Sequence, residues 1–335
     1  MTQTRSVEAR PASRLAHVQA PVKDRLDRLE GEIRRIVLSD FELQNGVNDY
    51  LLKLRGKLFR PTLLLLASEV GGRPHGDALS LAAVVELVHL ATLVHDDAVD
   101  HSVLRRGLPT VNHLWNHQVA IITGDFLYSR SVSELARIGR LEAIRALSVA
   151  SNEMSVGELR QLVACDALDF SEEDYYRLIA CKTASLMAAA CDVGALVGLP
   201  QHRVAFRRFG HSIGMAFQIA DDILDYEESE DATGKSRWHD LRERKVTLPL
   251  LEAMRRVGPD ERSRIRDFFT RLAPADDEIA EIVGLVQEAG GLEYARERAR
   301  SYASSAEAAL DEVPDAGEAM SALRAASTYA VERSR

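Results

Sequence analysis

Apolar residues recur at helical spacing along almost the whole chain, and long strand-like alternations are absent. The pattern predicts helices over residues 22–38, from Pro61 to 70, and over 77–104, 111–138, 141–163, 171–197 and 201–226. Pro61 suits a first helical turn, and Gly71, Gly72 and Pro74 break the helix that follows. Ser171 followed by Asp174 is a capping pattern. Residues 227–244 are charged, contain Gly234 and read as a loop. Residues 247–332 read as amphipathic helix with breaks at Gly258-Pro259, Pro274 and Gly290-Gly291. The expected architecture is all-α: a single large helical domain over 21–335 with a central cavity, preceded by a flexible arm over 1–20.

The most apolar stretch, 79–94, is interrupted by Glu86 and His89 and reads as a buried helix, not a membrane span. The first twenty residues carry Arg5, Arg10 and Arg14 and lack the apolar core of a signal peptide. A net charge of −9 over 335 residues argues against general nucleic-acid binding. Three cysteines, Cys165, Cys181 and Cys191, form no C-x-x-C pair and suggest a reducing compartment. A cytoplasmic protein is expected.

Two aspartate clusters carry the chemistry. Asp96, Asp97 and Asp100 lie in HDDAVD, and Asp221, Asp222 and Asp225 in ADDILD. Each reads D-D-x-x-D and completes an otherwise apolar helix. Gln218, Asp221, Asp222 and Asp225 fall on one helical stripe, and His89, Asp96 and Asp100 on another. Packing carboxylates beside a hydrophobic core is costly unless something positive neutralises them. Magnesium suits the task, because it takes one or two carboxylates and shares its other positions between water and phosphates. Two solvated acidic helix ends are the weaker alternative.

Basic residues cluster near these motifs. They are Lys57 and Arg60 in RGKLFRPTL, Arg105 and Arg106 in VLRRGLPT, Lys182 beside Thr183 in CKTASL, and Lys235 and Lys245 around the loop after Asp225. Gly107 is expected to end the helix that carries the two arginines. SEDATGKS is not a phosphate-binding P-loop, since Ser229 takes the place of its first glycine and no strand precedes it. His89, His95 and His101 lack the H-E-x-x-H spacing of a zinc site.

Together, GKLFRP, ELVHLATLVHDDAVDHSVLRRGLPT, CKTASL and QIADDILDYEESEDATGKSRWHDLRERKVTLPL resemble the trans-isoprenyl diphosphate synthases, in that family's order. The resemblance implies the isoprenoid-synthase fold, a homodimer, and condensation of isopentenyl diphosphate with an allylic diphosphate bridged by three Mg2+ ions. It implies that Asp96 and Asp100 hold metal on one wall with Asp97 in support, and that Asp221 leads on the other with Asp222 and Asp225, the latter also counted among the metal ligands. It assigns Arg105, Lys182, Thr183, Gln218, Lys235 and Lys245 to the allylic diphosphate, and Lys57, Arg60, His89 and Arg106 to isopentenyl diphosphate. Membrane contact would be transient, for product release only.

Three positions depart from the family pattern. Arg55 and Leu58 stand where a glycine and an arginine are usual, and Arg244 stands where glycine usually precedes the last lysine. The intact second motif and the isopentenyl set argue against a class I terpene cyclase, and six retained aspartates argue against a non-catalytic regulatory subunit. Product length should depend on the residues before Asp96. By resemblance the position is Ala91. By helical geometry it is Thr92, which lies about 40° from Asp96 around the helix. Val88, one turn earlier, is medium-sized. With no bulky residue there, a hexaprenyl to decaprenyl product is expected, and a farnesyl or geranylgeranyl product is the alternative.

Overall fold

The computed structural model describes residues 11–332, apart from 55, 73–74, 165–169, 228–237, 272 and 315–316. Its helices run in chain order as α1 (Pro11–Gln19), α2 (Lys23–Val37), α3 (Glu42–Lys53), α4 (Phe59–Glu69), α5 (Ala78–Val99) and α6 (Val111–Leu114). Next come α7 (His117–Ile138), α8 (Leu141–Ala164), α9 (Glu172–Ile179), α10 (Ser185–Gly198) and α11 (Arg203–Glu227). The chain ends in α12 (His239–Arg242), α13 (Leu248–Arg256), α14 (Pro259–Phe269), α15 (Asp276–Glu288), α16 (Gly291–Leu310) and α17 (Glu318–Glu332). Among the described residues the only strands are the two-residue arms of one hairpin, β1 (Leu104–Arg105) and β2 (Leu108–Pro109). The all-α expectation therefore holds.

Two apolar clusters form the core. One gathers α1–α5, α7, α8, α10, α17 and the C-terminal end of α16, and the other gathers α9, α13–α15 and the N-terminal half of α16. Helix α11 belongs to both. Phe206, Phe209 and Ile213 pack into the first, while Met215, Ile219 and Ile223 pack into the second. The second aspartate motif thus ends a helix clamped from two sides. Helix α5 is enclosed on nearly every face: Leu81, Ala82, Ala83, Val84, Val85 and Leu87 are all buried. Both α5 and the segment from 172 to 198 are long and apolar enough to cross a membrane, but 67% and 78% of them are buried inside the fold, as core helices are.

Several expected boundaries move. Helix α5 stops at Val99, short of the expected 104, because His101 takes a left-handed φ of 51°. Its N–H then bonds to the Ala98 carbonyl, and that of Ser102 bonds to the Asp97 carbonyl, closing the helix. Arg105 and Arg106 therefore sit on the hairpin, and Gly107 turns the hairpin instead of ending a helix. The expected helix over 111–138 breaks at Trp115 and restarts at His117, where the Asn116 side chain accepts the Val119 N–H at 2.8 Å. The expected helix over 171–197 contains a five-residue π turn, Ala180–Ala184, between α9 and α10. Ser171 and Asp174 do form a capping box on α9. Helix α3 had no sequence-based counterpart, and α12 forms inside the expected loop. Residues 11–19 are helical and Val18 is buried, so this part of the expected arm is docked. The breaks at Gly258-Pro259, Pro274 and Gly290-Gly291 fall between helices as expected.

Candidate active site

The ends of α5 and α11 face each other across a cavity of about 600 Å³. Asp96, Asp97 and Asp100 line it from α5 and its C-cap, and Asp221 and Asp222 line it from α11. Gly214 brings the third wall close: a Cβ there would lie only 2.5 Å from Ala184 Cα, so α11 rests directly on the π turn. That contact lets Thr183 Oγ1 donate to Gln218 Oε1 at 2.7 Å. Gln218 Nε2 in turn donates to Asp222 Oδ1 at 2.8 Å. The π turn carries both Lys182 and Thr183 onto the cavity wall. Such bulges are frequent at functional sites.

The carboxylates differ in environment. Burial pushes the Asp96 carboxyl up to about 7, with Lys182 opposing the shift and Glu158 adding to it. Asp97 is buried and receives Arg105 Nε at 2.7 and 2.9 Å. Asp222 is buried between Gln218 and the Tyr175 hydroxyl, which donates at 2.6 Å. Burial, reinforced by the charge on Asp240, holds the Asp222 carboxyl well above its usual range. Asp225 does not face the cavity. It is buried, and the Asp240 N–H on α12 donates to Asp225 Oδ2 at 2.9 Å.

Cations ring the acidic groups. Arg105, Lys182 and Lys245 line the cavity. Lys245 forms ion pairs with Glu243 and, at 3.8 Å, with Asp240, and these carboxylates hold its ammonium above the ordinary lysine range despite burial. Burial raises Asp240 to about 6. Hydrogen bonding and charge from His239 and Lys245 overcome burial and hold Glu243 at about 2. Lys235 lies outside the described residues, as do Arg55, Cys165, Ser229 and Gly234.

Of the residues assigned to isopentenyl diphosphate, Arg60, His89 and Arg106 are brought together. Arg60 Nη1 lies 3.1 Å from His89 Nε2. Because a guanidinium only donates, Nε2 must accept, which fixes the proton on Nδ1. Burial, then the charges of Arg60, Arg106 and Arg105, hold His89 well below its usual range and so neutral. Arg106 Nη1 donates to the Leu54 carbonyl. Lys57 is exposed on the loop before α4. His89 stands apart from the Asp96–Asp100 wall and belongs to this basic group instead.

Two of the three departures from the family pattern fall at strained positions. Leu58 and Arg244 adopt left-handed φ values of 52° and 55°, and Arg106 and Trp238 do so beside the same loops. Such backbone costs about 1–2 kcal/mol per residue without glycine. Ala91 and Val88 are each 2% exposed, sealed inside α5's packing, whereas Thr92 is half-buried with its hydroxyl turned onto the His89 carbonyl.

Four polar cavity residues, Gln161, Tyr175, Asp240 and Glu243, had no place in the sequence reading, nor had Glu158, which sits just outside the cavity against Lys182. Asp240 and Glu243 were lost in a segment read as a charged loop. Glu158 and Gln161 carry no local motif, and only the packing of α8 against the π turn reveals them.

These donors are all oxygen atoms, the chemistry of a hard divalent cation. Among the described residues no three His, Cys, Asp or Glu side chains gather closely enough to hold a metal ion by themselves.

The family model for polyprenyl synthetase matches residues 42–286. An all-trans-nonaprenyl-diphosphate synthase (geranyl-diphosphate specific) from Rhodobacter capsulatus is 36% identical over 300 residues, covering 89% of this chain and 92% of the relative. A short chain isoprenyl diphosphate synthase from Methanothermobacter thermautotrophicus is also 36% identical, over 85% of this chain and 89% of its own. The crystal structure of a decaprenyl diphosphate synthase from Rhodobacter capsulatus superposes with a TM-score of 0.90 at 32% identity, covering 96% and 99% of the two chains. A polyprenyl synthase from Caulobacter crescentus, solved with calcium and isoprenyl diphosphate, gives 0.90 at 31% over 98% and 99%. The reading of the sequence as a medium-to-long-chain synthase agrees with the polyprenyl members of this set. Sequence motifs, fold and relatives converge: the chain belongs to the polyprenyl synthetase family of trans-isoprenyl diphosphate synthases.

Proposed function

We propose that the protein is a magnesium-dependent all-trans polyprenyl diphosphate synthase that adds isopentenyl diphosphate units to an allylic diphosphate. The observation that carries this reading is the opposition of two aspartate motifs across one cavity, with Lys182, Arg105 and Lys245 around it. Asp96, Asp100 and Asp221 would hold the metal, and Asp97, Asp222 and Asp225 would support them. Bound magnesium would offset charge on the departing pyrophosphate by Lewis-acid stabilisation, worth several kcal/mol. Lys182, Arg105, Lys245, Thr183 and Gln218 orient the allylic diphosphate, with Lys235 as a further cation by resemblance. Lys57, Arg60, Arg106 and neutral His89 hold isopentenyl diphosphate so that its double bond meets the allylic carbon. Holding two reactants in register supplies much of the rate.

A small wall at Val88, Ala91 and Thr92 supports a hexaprenyl to decaprenyl product. The exposed apolar residues Ile121, Ile122 and Val132 on α7, and Val149, Leu159 and Leu162 on α8, support a homodimer built on these two helices. Light scattering of the purified chain would test the dimer, and a monomer would exclude it. The free thiols Cys181 and Cys191 accord with the cytoplasm. Incubating the purified chain with magnesium, isopentenyl diphosphate and farnesyl diphosphate tests the activity. Release of cyclic hydrocarbon, or no condensation, would refute it.

A further inference from the structure

We propose that Glu158 and Gln161 on α8 are positioning residues for Lys182, holding its ammonium at the cavity wall before the allylic diphosphate arrives. The proposal rests on the assignment of Lys182 to that diphosphate. Lys182 Nζ lies 2.6 Å from Glu158 Oε2 and donates to Gln161 Oε1 at 2.9 Å, while Asp96 Oδ2 stands at 3.9 Å. The ammonium has three donors. One hydrogen-bonds to Gln161 and the ammonium is ion-paired with Glu158, both on α8, which leaves donor capacity for the acidic wall or a diphosphate oxygen. A lysine stem loses considerable freedom when it is fixed in one place. Here that ordering is done by the fold and not left to substrate binding.

The local architecture is specific to this arrangement. Glu158 and Gln161 are three residues apart and share a helix face. Gly157, beside them, lets the π turn approach. A Cβ at 157 would lie 3.0 Å from both Cys181 Cβ and the Lys182 backbone nitrogen, closer than ordinary van der Waals contact, so the π turn packs directly against α8 here. The π turn itself puts Lys182 and Thr183, adjacent in sequence, on the same cavity wall. The side chains of Lys182, Glu158 and Asp96 are 28%, 19% and 18% exposed, so the pairing is partly shielded from water. Glu158 Oε1 is buried without a hydrogen-bond partner. A further carboxylate with one unsatisfied oxygen, set beside an acidic site meant for an anion, is costly on its own. Holding the lysine accounts for its presence.

The test is a coupling experiment on the full chain, with each substrate varied in turn. Glu158→Ala should raise the KM for the allylic diphosphate about 10-fold and leave that for isopentenyl diphosphate within about twofold. Glu158→Gln, which keeps an acceptor for Lys182, should restore most of the loss. In a Lys182→Ala background, Glu158→Ala should add less than about twofold. Gln161→Ala, should Glu158→Ala fail to fold, is expected to raise the same KM about threefold and to lose that effect in the Lys182→Ala background. An unchanged allylic KM, or effects that multiply in the double variant, would overturn the positioning role. An allylic KM unaffected by Lys182→Ala alone would instead overturn the assignment of Lys182, and the two failures are therefore distinguishable.

Discussion

Lys182 Nζ stands 3.9 Å from Asp96 Oδ2, joining the basic π turn to the first aspartate motif. A cation that is already beside the acidic wall can share an incoming diphosphate with metal bound there. This pairing of opposite charges around one anion site is the basis of the predictions that follow.

Replacing Asp96 or Asp221 by Ala should lower kcat about 10³-fold at saturating magnesium, since each removes charge stabilisation from the departing group. The fold should persist, because neither side chain packs in an apolar cluster. Circular dichroism and steady-state rates check this. Near-normal turnover in either variant would exclude the two-wall reading.

Arg60→Ala should raise the KM for isopentenyl diphosphate about 10-fold, and Lys182→Ala that for the allylic partner, as expected when a phosphate contact is lost. Reversed effects would mean that the two substrate sites have been exchanged.

Tyr175→Phe should cost about 1–3 kcal/mol of stability, because it leaves buried Asp222 with one side-chain donor fewer. Urea unfolding of the two proteins measures it. An unchanged midpoint would show that the 2.6 Å hydrogen bond does not contribute to stability.

The metal-free protein should become less stable as the pH rises from about 6.5 to 8. The sign follows from carboxyls whose folded values are raised: Asp96 to about 7 and Asp222 well above 3.8, both by burial. The unfolded carboxyls have released their protons well below this window, whereas folded Asp96 keeps its proton until about 7 and Asp222 is held well above its usual range, so stability falls with pH. His89 acts in the opposite sense, its folded value being depressed below 6.5, and its opposing contribution fades as the unfolded imidazole loses its proton just above 6.5. Magnesium with pyrophosphate should therefore raise the melting temperature more at pH 8 than at pH 6.5, and Asp96→Asn should flatten the metal-free slope. A metal-free melting temperature that rises over this window would contradict the account.

The acidic pair and most cavity cations were legible in the sequence because each lies on or beside a strongly periodic helix. The helix-by-helix plan was legible for the same reason. What was not legible depended on chain reversal. The left-handed turn at His101 moved Arg105 and Arg106 from a helix to a hairpin, although no glycine marked it. The π turn at 180–184 keeps helical composition and differs only in register, so periodicity could not reveal it. Asp225 looked equivalent to Asp221 on the helical wheel, yet it is buried and accepts the Asp240 N–H. Glu158 and Tyr175 contribute through packing across helices, which one helix's pattern does not encode.

The length of the product tests the central claim most directly. Purified protein with magnesium, farnesyl diphosphate and excess isopentenyl diphosphate should yield all-trans products in the hexaprenyl to decaprenyl range, resolved by chromatography after dephosphorylation. Ala91→Phe should shorten them, because an added ring overpacks a sealed wall at a cost of about 1–3 kcal/mol or else occupies the path of the growing chain. Arrest of the wild-type protein at farnesyl or geranylgeranyl diphosphate, with no change in Ala91→Phe, would contradict the account.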